Sequence, residues 1–341
     1  RPASPPRPPS TPSGRAHSLP VASYYPPCDN SVVLTGDSFF FTRGESTAHR
    51  IRIRKRVEQG RLVKLARGVY YDAGKLQAAQ PSQRFYLRSL AVGIAGSTLV
   101  GRSAASLWGL PMGSYNGPVE TRGKSSSPPD IIRRYLTAAD IVPLTIGDFR
   151  VALSSKAATV LDMCRWGELV EAVVIGEAAL KRQMISLDEI DSLAENRRGC
   201  VGINKFRGVR AFMNGLSESP RESEVKVALF REGFPPPIQQ ANVLDAHGYF
   251  IARPDFLFPE QSVALEYDGM GKLLGEYGMT PDTAAKKERE RERKLISEGV
   301  YPIRITKESF ASGLWLTELH DVWGTRAPMR GDRWCGGDRA W

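Results

Sequence analysis

Residues Tyr249 to Gly269 read YFIARPDFLFPEQSVALEYDG. Two runs rich in aromatic and β-branched residues, Tyr249 to Phe258 and Val263 to Tyr267, flank a polar break at Pro259, Glu260 and Gln261, which is the pattern of a β-hairpin. Side chains alternate between faces along a strand, so Val263, Leu265 and Tyr267 share one face while Ala264, Glu266 and Asp268 share the other. A turn centred on Glu260 and Gln261 sets Asp255 directly opposite Glu266, and three carboxylates then gather on one face. Opposed like charges are destabilising unless something positive lies between them. A divalent ion, Mg²⁺ or Mn²⁺, is one answer, because a hard cation takes one or two carboxylates together with water and phosphate oxygens. The other answer is a solvated acidic face with one carboxylate paired to Arg253.

The 341 residues leave room for two or three domains, and a composition of 41% hydrophobic and 25% charged residues is that of an ordinary globular chain. A net charge of +10 favours an anionic partner, duplex DNA before a membrane surface. Cys28, Cys164, Cys200 and Cys335 stand far apart, which gives neither a zinc-ligand spacing nor a disulfide framework and fits a reducing cytoplasm. No apolar run has the length of a membrane span, and the N-terminal stretch lacks the apolar core of a signal peptide.

Residues 1–30 are dense in Pro, Ser and Arg and read as a disordered arm. A basic unit follows over 31–75. Ser46 can cap a helix through Val57 that carries Arg50, Arg52, Arg54, Lys55 and Arg56, although the alternation Ile51-Arg52-Ile53-Arg54 also permits a strand. Arg61 to Leu65 and Val69 to Tyr71, joined by Ala66-Arg67-Gly68, read as a two-stranded wing. A helix followed by a wing predicts a winged helix, with the helix in the major groove and Arg61, Lys64 and Arg67 on phosphates. A solvated helix face is the alternative for the charge run. Residues 76–215 read as mostly helical, with a loop or linker over Gly113 to Pro129 and no catalytic constellation.

At Ser219 a new unit opens, with Pro220 at the first helical position and Glu222 three residues after Ser219, the spacing of a capping box. Strand Gln240 to Leu244, the turn at His247-Gly248 and the carboxylate hairpin come next, then a basic helix from about Thr283 to Glu298 closed by Gly299. Residues 323–341 read as an unfolded tail. The expected fold class is thus multidomain α/β, with a winged helix (31–75), a helical middle (76–215) and a mixed-sheet domain (216–322).

Two resemblances sharpen these expectations. Pro254-Asp255, then Glu266-Tyr267-Asp268-Gly269, a basic helix and the strand Pro302-Ile303-Arg304-Ile305-Thr306 resemble the PD-(D/E)XK nuclease superfamily, in particular its very-short-patch-repair (Vsr-like) endonuclease branch, over about residues 218 to 310. The resemblance implies that Asp255 and Glu266 hold the metal, that Asp268 and Glu222 help to position it or its water, and that Lys272 stabilises charge. Glu222 stands where the related domains carry a helix-borne Glu, so cap and catalytic roles are both open to it, and Glu288 with Arg291 matches their E-x-x-R pattern. The usual Lys two residues after the Glu is replaced by Asp268, and a frequent His after the Asp-Gly pair is absent, with Lys272 at that spacing. Separately, the phrases from Val57 to Tyr70 and from Arg102 to Leu110 resemble the AbiEi-type antitoxins of type IV toxin–antitoxin systems, over about residues 32 to 215. That likeness implies a DNA-binding regulator, with a nucleotidyltransferase-like toxin as the partner to look for. The rival to cleavage is accordingly an antitoxin-like regulator whose C-terminal nuclease-like fold only binds DNA or a protein partner.

Overall fold

The computed structural model describes residues 38–123, 129–135, 140–268 and 281–341, and several of its helices begin at a side-chain cap, among them those that follow Ser46, Asp72, Ser155, Ser186, Ser219 and Thr306. β1 (Phe39–Phe41), α1 (Thr47–Glu58), β2 (Leu62–Ala66) and β3 (Val69–Asp72) form a helix beside an antiparallel sheet ordered β1-β3-β2. Ser46 Oγ accepts the His49 N–H at 3.2 Å, which satisfies one orphan donor of the first turn. The strand alternative for Ile51 to Arg54 is thereby set aside. Gly68, at φ +75°, closes the turn between β2 and β3. Phe39 in β1 packs its ring against Phe149 at 5.6 Å between centroids, so this sheet shares a core with the chain around Phe149.

The segment expected to be mostly helical is mixed, and the loop expected over Gly113 to Pro129 contains a strand. After α2 (Ala73–Ala78), α3 (Pro81–Ile94) and α4 (Gly101–Leu107) come β4 (Val119–Arg122), parallel to β5 (Ile131–Arg134), and the hairpin β6 (Ile141–Ile146) and β7 (Phe149–Ser154). Runs of four to six residues are too short to show a helical or strand period against a Gly/Ser/Pro-rich background. The helices α5 (Lys156–Trp166), α6 (Leu169–Lys181), α7 (Leu187–Glu195) and α8 (Ile203–Arg210) complete this unit. Its interior holds an ion network. Glu120, fully buried, accepts from the Arg102 backbone at 2.6 Å and from the guanidinium groups of Arg102 and Arg134 at 3.1 Å each, while Arg102 also grips Glu171. Gly101 is needed there: its φ is +51°, and a Cβ would lie 2.2 Å from a Glu120 carboxylate oxygen.

The described residues divide into two compact units between Ala211 and Phe212. The second contains α9 (Pro220–Arg231), β8 (Ile238–Gln239), β9 (Asn242–Leu244), β10 (Phe250–Ala252), β11 (Phe256–Phe258), β12 (Val263–Tyr267), α10 (Pro281–Ser297), β13 (Tyr301–Ile305), α11 (Lys307–Ser312), α12 (Leu314–Val322), β14 (Trp334–Cys335) and β15 (Asp338–Arg339). Its main sheet runs β13-β12-β11-β8-β15, with β12 and β13 parallel and the remaining pairs antiparallel.

β11 and β12 pair as Phe256 with Leu265, Leu257 with Ala264 and Phe258 with Val263, the register expected from a turn at Glu260 and Gln261. The first arm of the hairpin differs. Tyr249 to Phe258 is not one strand but two, because Arg253-Pro254-Asp255 interrupts it and Pro254 has no N–H for a ladder. β10 pairs with β9 in a second sheet, β10-β9-β14, while β11 stays in the main one. Likewise, Gln240 at φ +56° breaks the expected strand Gln240 to Leu244. The tail over 323–341 is a further correction. β14 and β15 each add an edge to a sheet, and Gly336 and Gly337, at φ +69° and +73°, allow the chain to cross from one to the other.

The two faces of β12 enter different cores. Val263 and Leu265 pack with Phe256, Ile303, Val225 and Trp315, whereas Ala264 packs with Leu257 and with Leu295 of α10. Full burial of side chains such as Phe256 and Leu265 contributes roughly 1.5–3 kcal/mol each. Among the described residues no helix is long and apolar enough to cross a membrane.

Candidate functional site

The face of β12 that carries Ala264 also carries Glu266, and extending the β11–β12 register by one residue brings Asp255 level with it. Asp255 is buried, and its Oδ2 accepts the Tyr267 N–H at 2.7 Å. Arg253, the partner named by the solvated-face alternative, donates to Glu218 at 3.1 and 3.3 Å.

Glu222 reaches the same place from α9. Ser219 Oγ accepts the Glu222 N–H at 3.2 Å, so the N-cap forms, but the Glu222 carboxylate does not close the box onto Ser219. It accepts instead from the Glu218 N–H at 2.7 Å and from Gln240 Nε2 at 3.3 Å. Gln240 Nε2 also stands 3.5 Å from Asp255 Oδ1, so one amide bridges the two acids. Gln240 was missed by sequence reasoning, since an isolated Gln between strands carries no signal. Its left-handed backbone costs about 1 kcal/mol, which its N–H bond to the Asp255 carbonyl at 3.2 Å helps to offset.

Burial and the neighbouring Asp255 push the Glu222 carboxyl up to about 7. The folded state therefore holds this proton more tightly than the unfolded chain does. Stability from this group is present below about pH 4.5, the unfolded value, and is lost as pH rises through about 7. Glu222→Gln, which keeps an acceptor and removes the charge, is expected to match the parent at about pH 4.5 and to exceed it by up to about 2 kcal/mol near pH 8. Denaturant titrations at the two pH values check this.

The remaining acids are already partnered. Arg291 Nη1 and Nη2 donate to the two oxygens of Glu266 at 2.6 and 2.5 Å, and the same guanidinium donates to Glu288 at 3.0 and 2.5 Å. Arg291 and Leu295 lie one turn apart on α10, opposite Glu266 and Ala264, and apolar packing below thus aligns the ion pair above. Burial opposes the Arg291 charge, but the Glu266 carboxylate outweighs it and holds the guanidinium above its usual range. Arg304 of β13 pairs with Asp268 at 3.5 Å and with Glu288. The structure therefore brings Glu222 and Asp255 together and draws Glu266 and Asp268 towards arginines. Among the described residues, no three of His, Cys, Asp and Glu are arranged to hold one metal ion. Glu222 and Asp255, two carboxylates on one amide, have the donor chemistry that a hard divalent ion takes. Lys272 lies outside the described residues.

In the first unit, Arg50, Arg52, Arg54, Lys55, Arg61, Lys64 and Arg67 are all exposed. Arg56 is not: it is half-buried, with its guanidinium 4.4 Å from the Phe40 ring. Arg50 Nε donates to the Thr42 carbonyl at 3.2 Å, and Arg54 pairs with Glu58 at 3.1 Å. α1 buries Ile53 alone and turns the rest of its length outward or to half-exposure, with the β2–β3 hairpin beside it.

No protein-family model matches the chain. Uncharacterized proteins from two strains of Mycobacterium tuberculosis, H37Rv and CDC 1551, are each 29% identical to it over 129 residues, 38% of this chain and 47% of theirs. The chain thus spans about half the length of the curated relatives it matches.

Proposed function

We propose that this protein binds duplex DNA through α1 and the β2–β3 hairpin, in the manner of a winged helix, and that its second unit carries a carboxylate centre for Mg²⁺- or Mn²⁺-assisted phosphodiester hydrolysis. The observation that carries the second half is the meeting of Glu222 and Asp255, two buried acids bridged by one amide donor. Two negative charges held this close repel, and a divalent cation offsets that cost. Glu222 and Asp255 would hold the ion, and Glu266 joins them only where Arg291 gives way. When bound, the ion supplies polarisation of a phosphoryl oxygen and a more acidic water. The chain's own groups prepare the place: the Tyr267 N–H fixes Asp255, the Glu218 N–H fixes Glu222, and Gln240 sets the distance between them. Exposed arginines and lysines on α1 and the hairpin supply the anion-binding half.

A second reading is favoured by the Arg291–Glu266 pair, which already neutralises one of the expected metal ligands. It makes the protein an AbiEi-like, antitoxin-type DNA-binding regulator, partnered by a nucleotidyltransferase-like toxin and carrying a nuclease-like fold that does not cut. Incubation of supercoiled and mismatched DNA with the full chain, with and without Mn²⁺, separates the two. The nuclease reading expects metal-dependent nicking that Asp255→Asn abolishes. It also expects millimolar Mn²⁺ to raise the thermal midpoint of the parent but not of Asp255→Asn. DNA retained without nicking, with a midpoint indifferent to the metal, leaves the regulator.

A further inference from the structure

We infer that Ile51 is a sequence-reading residue, placed to contact thymine methyl groups in the major groove; this rests on the DNA-binding half of the proposed function. Ile51 is 62% exposed, although it lies in the middle of a regular helix. A β-branched residue is a weaker helix former than Arg, Lys or Ala, and one that is 62% exposed gains little burial to compensate. At such a position the fold itself gives no reason for isoleucine.

Its neighbours supply one. With 3.6 residues per turn, the side of α1 opposite the buried Ile53 has Ile51 at its centre, Ala48 and Lys55 one turn away on either side, and Arg52 and Arg54 to its left and right. All five are exposed. Ala48 and Ile51 form an apolar pair on this outward line, which continues through Lys55 to Glu58, and Arg52 and Arg54 flank it on both sides; such a section matches a major groove, in which base edges lie in the middle and phosphates line both walls. The thymine C5-methyl is the apolar feature of those base edges, and small apolar side chains are what contact it. Arg54 is paired with Glu58, but both side chains are largely exposed, and such a surface pair yields at little cost to a phosphate. The charge of the flanks selects a polyanion over a protein as occupant.

The test uses the full chain and a pool of duplex DNA with a random core. Bound duplexes are enriched over several rounds, and each thymine of the enriched sequence is then replaced in turn by deoxyuridine, which removes only the methyl group. The parent is expected to lose about three- to tenfold in affinity at one or two thymines. Ile51→Ala should lose the methyl discrimination while keeping its circular dichroism and salt dependence, and Ile51→Val should retain most of it. Enrichment of a sequence whose thymines all tolerate deoxyuridine overturns the inference, as does Ile51→Ala discriminating like the parent; the exposed side chain then serves a protein contact. If the parent retains no duplex even at low salt, the DNA-binding reading falls first and this inference falls with it.

Discussion

Arg291→Gln is expected to lose about 3 kcal/mol of stability in metal-free buffer, because it takes from Glu266, mostly buried, its bidentate guanidinium partner, while Glu288 keeps Arg304. The magnitude sits at the low end for a broken buried pair, since 28% of the Arg291 side chain is exposed. The variant also separates the two readings of the site. With Arg291 gone, Glu266 becomes available beside Asp255, and a divalent ion can replace the lost positive charge. Under the nuclease reading, millimolar Mn²⁺ restores a large part of the stability of Arg291→Gln and stabilises it more than it stabilises the parent. Urea titrations of both proteins, in chelator and in Mn²⁺, measure the difference. Equal and small responses in the two proteins would mean that the acids form a structural ion network only.

Neutralising Arg52, Lys55 and Lys64 together is expected to weaken duplex DNA binding about a hundredfold near physiological salt and to flatten the salt dependence by about three ion equivalents. These three side chains are exposed on α1 and the hairpin. Arg56→Gln alone should change little at the DNA, because the Arg56 guanidinium lies against the Phe40 ring. Sequence reasoning grouped Arg56 with Arg52 and Arg54, and the fold distinguishes them by where the helix meets the sheet. Fluorescence anisotropy with a labelled duplex at several salt concentrations gives both the affinity and the slope. A parent whose affinity ignores salt would show that this face does not meet phosphates.

Much of this geometry was legible in the chain. The Pro259-Glu260-Gln261 break and the alternation on either side of it determined the β11–β12 register, because a strand has a period of two and only one pairing puts both apolar faces inside. Ser46, Ser219 and Gly299 marked helix ends correctly, since capping depends on neighbours within one turn. Other features depend on residues far apart in the chain. The Glu266–Arg291 pair spans 25 residues and results from Leu295 packing under Ala264. The Gln240 bridge needs a left-handed residue between β8 and β9, and the tail is held by β14 and β15 joining the edges of two sheets and by Trp341 packing on Phe212 and Phe230. Sequence alone thus determined the local periods, the caps and one strand register, each set by steric and hydrogen-bonding rules acting over a few residues. Which carboxylates meet each other and which meet arginines was decided by the tertiary structure, because charge pairing in a partly buried site is set by what the packing of distant apolar side chains brings within a few ångströms.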